Sequence, residues 1–311
     1  MPLHPQARAV LDAMEAVGVP PLGSLTVAEH RAAGASRRVP PRRPEAVHHV
    51  EDRMIPGPVG EIPVRVYRPS DEAGLPLLVY FHAGGWTIGD LESPDLSLRK
   101  IANRTPCVAI SVDYRLAPEH RFPAAVDDAW AATRWAHEHA TELGGDPTRL
   151  AVAGESAGGN LATVVALLAR DAGGPPIRHQ TMLYPVTDYS FDTPSYGVNA
   201  EGYLLTRDAM HWFWDQYLGA EGDGTDWRAS PLRAPSLEGL PPAHVITAEF
   251  DPLCDEGEAY AARLRDSGVE VRCTRYEGQM HSFMPMQELI EDGERAVDEV
   301  AEVLRAAFER S

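Results

Sequence analysis

Cysteine, basic charge and long apolar runs are all scarce in this 311-residue chain. The three cysteines are Cys107, Cys254 and Cys273. Their spacing fits no metal-binding pattern, and none has neighbours that would make it a nucleophile. So few thiols suit a reducing compartment, and Cys107 and Cys273 read as small buried hydrophobes within strands. No stretch approaches the roughly 20 consecutive apolar residues of a membrane span. The N-terminus carries no charged-then-apolar signal pattern, so the expected location is the cytoplasm. Basic residues number 28 against 46 acidic ones, a net charge of −18. That balance argues against a nucleic-acid partner and against docking on anionic lipid. The one basic cluster (Arg37, Arg38, Arg42, Arg43) is broken by prolines and reads as solvated linker.

The length allows one large α/β domain with an elaboration, or two small domains. Residues 3–18 predict an amphipathic helix with Leu3, Val10, Leu11, Met14 and Val17 on one side. Residues 31–46 hold three prolines and five arginines and predict a linker. Val47–Ile55 and Glu61–Tyr67 predict two paired strands. Pro76–Phe81 and Cys107–Val112 are continuous apolar runs, as strands buried on both faces require. Further strands are expected at 149–153, 180–184, 243–250 and 269–276, with helices at about 123–142, 159–170, 256–267 and 288–310. This alternation predicts a mostly parallel sheet with helices on both faces. Residues 1–46 and about 186–235 break it. The second stretch is aromatic and carries a helix near 207–218. Both are candidates for a lid over the carboxyl edge of the sheet, where ligands bind in such folds.

Gly154-Glu155-Ser156-Ala157-Gly158 lies between an apolar strand and a helix. A serine on such a turn is held in a strained conformation with its hydroxyl pushed outward. A serine hydroxyl is a poor nucleophile at neutral pH, so Ser156 requires a base and an acid to orient it. In an elbow of this kind they follow in the order serine, acid, histidine. Four histidines come after Ser156. His179 and His244 fall near strand starts, and His211 lies in the candidate lid helix. His281 follows the last strand and is the expected base. Asp251, at the end of the strand 243–250, is the expected acid, with Glu249 as runner-up; Asp255 and Glu256 suit the start of the next helix. The segment His82-Ala83-Gly84-Gly85-Trp86 follows an apolar strand. Its glycines allow the backbone to aim N–H groups at one point. Gly84, Gly85 and Ala157 are the expected oxyanion donors.

Together with Asp113-Tyr114-Arg115-Leu116-Ala117-Pro118-Glu119, Tyr184-Pro185, Asp251-Pro252-Leu253-x-Asp255-Glu256-Gly257 and His281-x-Phe283, these motifs make the chain resemble the hormone-sensitive-lipase family of bacterial esterases. The resemblance implies the α/β-hydrolase fold, with a mostly parallel central sheet, helices on both faces and a helical cap. It divides the chain into an N-terminal cap segment (1–46) and a catalytic domain (47–311) with a cap insertion at about 186–235. It implies hydrolysis of a small-molecule ester with no metal or cofactor, and it allows a homodimer. Amide or N-acetyl hydrolysis would use the same groups, and a non-catalytic binding module on this fold would dispense with the histidine base. Three departures stand out. Ala83 replaces a glycine of the usual His-Gly-Gly-Gly, Glu155 replaces the common aspartate before the nucleophile, and Cys254 stands where arginine is common. His82 is expected to brace the oxyanion loop. Glu155 is expected to be structural, as are Asp127, Asp128 and Asp188. Asp113, Arg115 and Glu119 are expected to form a charge network at the sheet edge. Trp86, Tyr184 and Trp212 are expected to line an apolar pocket suited to short-to-medium acyl chains.

Overall fold

A computed structural model describes residues 2–37 and 44–310. The chain opens with α1 (Pro5–Ala16) and α2 (Val27–Arg37), then the hairpin β1 (His49–Pro56) and β2 (Glu61–Arg68). It continues through β3 (Leu75–Phe81), α3 (Asp95–Arg104), β4 (Val108–Val112), α4 (Ala124–Glu138), β5 (Gly145–Glu155), α5 (Ala157–Ala172) and β6 (Ile177–Leu183). After α6 (Pro194–Val198) and α7 (Arg207–Leu218) come β7 (Ala243–Phe250), α8 (Cys254–Asp266), β8 (Val271–Met280) and α9 (Glu291–Glu309). The eight strands form one sheet in the order β1-β2-β4-β3-β5-β6-β7-β8. Only the β1–β2 and β2–β4 pairs are antiparallel.

Both faces of this sheet are covered, and the strands show it residue by residue. On one face Leu77, Val79, Phe81, Val108, Ile110, Leu150 and Val152 pack against α4, α5 and α8. Their neighbours Leu78, Tyr80, Ala109, Ala151 and Ala153 point the other way, to α3 and α9. The period of two is intact, and β3 and β4 are buried on both faces, so these two strands read as nearly continuous apolar runs.

The region before β1 differs from its expected form. Residues 31–37, expected as linker, form the second half of α2 (Val27–Arg37). Thr26 and Glu29 form a capping box: Glu29 N donates to Thr26 Oγ1 (3.3 Å) and Thr26 N to Glu29 Oε2 (2.9 Å). The Thr-x-x-Glu signal was present, but Gly34 and the arginines obscured it. Of the arginine cluster, Arg38, Arg42 and Arg43 lie outside the described residues, as do Pro40 and Pro41. The two N-terminal helices also part company. The apolar side of α1 packs with Tyr276, Phe283 and α9, beside the last strand, through Ala7 and Val10; α2 lies beside α7, where His30 meets Trp212 edge-on. Helix α3 was not foreseen, although Leu98, Ile101 and Ala102 mark its buried side.

One carboxylate ties α9 to the sheet. Glu299 accepts hydrogen bonds from Thr274 Oγ1 (2.5 Å) and Tyr276 Oη (2.8 Å), and pairs with His244 Nε2 (3.1 Å). Burial alone would raise its carboxyl, but the hydrogen bonds from His244, Thr274 and Tyr276 outweigh burial and bring its pKa to about 2. A depressed carboxylate stabilises the fold above the ordinary glutamate value near 4.5 and loses that contribution as pH falls toward 2. Glu299→Gln is therefore expected to cost about 2 kcal/mol at pH 7 in urea unfolding, after allowance for solvent screening. The gap to the wild type should narrow below about pH 4.5. A constant gap across that range would contradict this assignment.

Candidate active site

The carboxyl ends of β5, β7 and β8 each deliver one side chain. Ser156 occupies the turn from β5 into α5 with φ 54° and ψ −116°. A non-glycine residue held there stores on the order of 1–3 kcal/mol of strain. The flanking glycines are obligatory for steric reasons. A Cβ on Gly158 would stand 2.0 Å from the carbonyl oxygen of Phe81, and one on Gly154 would stand 2.2 Å from that of Gly158. Asp251 follows β7 and His281 follows β8.

The three side chains meet. His281 Nδ1 lies 2.6 Å from Asp251 Oδ2, and His281 Nε2 lies 3.0 Å from Ser156 Oγ. Asp251 is fully buried, and its second oxygen accepts the Leu253 N–H at 2.9 Å. Glu249 faces elsewhere and accepts the Gly278 N–H. Sequence reading missed what braces the acid loop. Asn199 Nδ2 donates to the carbonyls of Glu249 (3.0 Å) and Asp251 (3.2 Å), and Ser195 Oγ donates to that of Pro252 (2.6 Å). Both come from the insertion after β6, through α6, whose signal is Thr193 as N-cap followed by Pro194.

Gly84 (φ 120°) and Gly85 (φ 56°) border the same space. The Thr87 and Ile88 N–H groups both donate to the Gly84 carbonyl, closing the loop on itself. Ala83 has no positive φ to adopt, so its methyl group is accommodated. Ala157 is the first residue of α5, where backbone N–H groups have no partner within the helix. His82 is fully buried, stacks on Tyr114 with ring centroids 4.2 Å apart, and pairs through Nδ1 with the Ala83 carbonyl (2.7 Å). Burial lowers its pKa to about 4. Beneath the nucleophile, Glu155 accepts hydrogen bonds from Tyr80 (2.5 Å) and Tyr184 (2.8 Å), and burial raises its carboxyl.

The charged motif residues divide among separate partners. Arg115 forks onto Asp128, Glu119 pairs with Arg31, and Asp113 lies 3.9 Å from His82 Nε2. No single network joins Asp113, Arg115 and Glu119. Asp188 pairs with Arg233. Near Cys254, the carboxylate of Glu258 is taken by Arg275 from β8.

Ser156 and His281 lie in the wall of a cavity of about 540 Å³. The expected wall residues are not part of it. Trp86 is fully buried and stacks on Tyr217 at 4.0 Å, since a large apolar ring is better accommodated inside the aromatic core of α7 than in an open cleft. Tyr184 turns its hydroxyl down to Glu155, and Trp212 packs on His30 and Phe213. Leu22, Ile88, Val186, Leu205, Met210 and Phe213 supply the apolar wall instead. No group of three or more His, Cys, Asp or Glu among the described residues could hold a metal ion, and no described helix is long and apolar enough to cross a membrane.

Residues 78–285 match the profile of a family with the α/β hydrolase fold. The chain is 49% identical over 268 residues to the carboxylic ester hydrolase LipN of Mycobacterium tuberculosis, covering 84% of this chain and 71% of LipN. It is 42% identical to an ethyl acetate hydrolase of Pseudomonas putida, covering 78% of each chain. An α/β hydrolase from the metagenome of Lake Arreo, Spain, superposes with a TM-score of 0.93 at 43% identity and 99% coverage of both chains. With the elbow, the glycine loop and the late histidine assembled as described, these matches establish that the chain belongs to the α/β-hydrolase family, in its hormone-sensitive-lipase branch.

Proposed function

We propose that this carboxylic ester hydrolase cleaves short-to-medium acyl esters through Ser156, His281 and Asp251. The observation that carries the reading is the hydrogen-bonded chain from Asp251 through His281 to Ser156, opening on a cavity bordered by Gly84 and Gly85. Ser156 Oγ attacks the ester carbonyl carbon as its proton passes to His281 Nε2. The carbonyl π electrons move onto oxygen, and the oxyanion is met by the N–H groups of Gly84, Gly85 and Ala157. Collapse breaks the bond to the alkoxy oxygen, which takes the proton from His281. Water then attacks the acyl-enzyme, gives its proton to the same imidazole, and the carboxylic acid leaves as Ser156 is restored. Asp251 holds Nδ1 protonated and stabilises the imidazolium. Burial of Asp251 and the Leu253 N–H fix the direction of that hydrogen bond.

Replacing Ser156 with alanine is expected to lower kcat on p-nitrophenyl esters by roughly 10⁴-fold or more while the protein stays folded. Turnover close to that of the wild type would end the proposal. The largely apolar wall of this cavity of about 540 Å³ also sets a size limit. In a series from p-nitrophenyl acetate to palmitate, kcat/KM should peak among the shorter chains, and the matching anilides should turn over far more slowly. A maximum at palmitate would refute the size limit, and comparable anilide rates would assign the site to amide hydrolysis.

A further inference from the structure

Arg31 has no role in the chemistry described above, yet its guanidinium is held by residues far away in the chain, at Thr87, Ala117 and Glu119. It lies on α2, in the stretch expected to be linker. Its Nε donates to the Thr87 carbonyl (2.9 Å), and its Nη2 donates to the Ala117 carbonyl (2.8 Å). The guanidinium also forms two hydrogen bonds with Glu119, at 2.8 and 2.9 Å. One planar fork thus grips two separate loops, a task a lysine cannot repeat with its single nitrogen.

The gripped loops are the ones that shape the oxyanion site. Thr87 belongs to the glycine loop, where its N–H holds the Gly84 carbonyl and its hydroxyl donates to the Gly85 carbonyl at 2.9 Å. Ala117 donates its N–H to the Trp86 carbonyl at 2.8 Å. Arg31 closes this ring of contacts from outside. The remaining support also comes from cap elements: Trp86 stacks on Tyr217, and a Cβ on Gly85 would fall 2.2 Å from the ring of Phe213. Helix α2 itself is held in place, since His30 Nε2 accepts the Gly23 N–H and the His30 ring meets Trp212.

We propose that Arg31 is a positioning residue that couples the seating of α2 to the conformation of the Gly84–Gly85 oxyanion loop, so that the cap sets the rate of the chemical step as well as access to the cavity. The proposal rests on the ester-hydrolase reading given above. It assigns a task to Glu119 too, which orients the fork.

The test compares Arg31→Ala, Arg31→Lys and Glu119→Gln with the wild type, using p-nitrophenyl butyrate and a trifluoromethyl ketone that forms a tetrahedral adduct on Ser156. For Arg31→Ala, kcat should fall by roughly 10- to 100-fold with KM within about threefold of the wild type. The ketone's inhibition constant should rise by the same factor as kcat/KM falls. Millimolar guanidinium should restore part of the rate to the alanine variant and none to the lysine variant. Glu119→Gln should lose less than either. The proposal is overturned if the loss appears in KM alone, if kcat is unchanged, or if guanidinium restores nothing to a folded alanine variant. Should Arg31→Ala fail to fold, the kcat and KM of Arg31→Lys decide by the same criteria. A wild type that neither hydrolyses the ester nor binds the ketone would instead refute the ester-hydrolase reading, independently of Arg31.

Discussion

The approach of the Gly158 backbone to the Phe81 carbonyl is the contact on which the rest of the site depends. It involves no side chain. Because nothing projects from Gly154 or Gly158, α5 starts against the end of β3 and directly behind Ser156. That proximity has two consequences. The free N–H groups of the first turn of α5 come to lie beside the loop leaving β3, where the proposed donors Ala157, Gly84 and Gly85 would meet one oxygen. It also forces Ser156 into its positive φ, which aims the hydroxyl away from both elements. The energy of this strain is drawn from the two cores that clamp β5, whose side chains from Leu150 to Ala153 are fully buried on alternate faces. Sheet burial and nucleophile geometry are therefore one problem.

Placing acids under this turn poses a second one. The chain carries a net charge of −18, and two carboxyls, Glu155 and Asp251, are buried close to the nucleophile. Among the described residues, neither is paired with a lysine or arginine. Asp251 is satisfied by the Leu253 N–H and by His281, and Glu155 by two tyrosine hydroxyls. Burial and the neighbouring Glu155 carboxyl push both phenols well above their usual range, so they stay protonated and remain donors. Neutral donors satisfy the acids without a nearby cation that would compete with the imidazole for Asp251. The longer glutamate in place of the family's common aspartate reaches Tyr80 on β3 and Tyr184 just past the end of β6.

What could be read in the chain divides along the same physical line. The central strands β3 and β4 were legible because burial on both faces leaves apolar runs, and Ser156, Asp251 and His281 were legible as candidates because chain order restricts where an acid and a base can stand. The glycines of the elbow were legible as a pattern, and the structure supplies their steric cause. The cavity wall was not legible. Trp86, Tyr184 and Trp212 have the size and polarity of pocket residues, but ring stacking and hydroxyl partners draw them into the interior. No local pattern distinguishes an aromatic residue that faces a cavity from one that fills a core. Helix α2 was missed for the opposite reason. Its capping box is local and readable, but its few buried positions leave no periodic stripe, and the arginines around it suggest solvent.

Two stretches of chain far apart in sequence converge on one loop. Leu22 and Arg31 arrive before the first strand, and Leu205, Met210 and Phe213 after the sixth; between them lies the turn from Ala83 to Gly89. That turn is thin. Gly84, Gly85 and Gly89 give it little side-chain packing within itself, since its Trp86 packs outward on Tyr217, and Gly89 passes within Cβ-clash distance of the His82 ring. A loop without an internal core takes its shape from its neighbours. Here the neighbours are His82 and Tyr114 from below and α2 and α7 from above. Residues that line the cavity are consequently among those that support the proposed oxyanion donors. On the proposed reading, a change in α2 or α7 that widens the cavity also changes the support of the glycine loop, so substrate range and catalytic rate are tied to the same contacts.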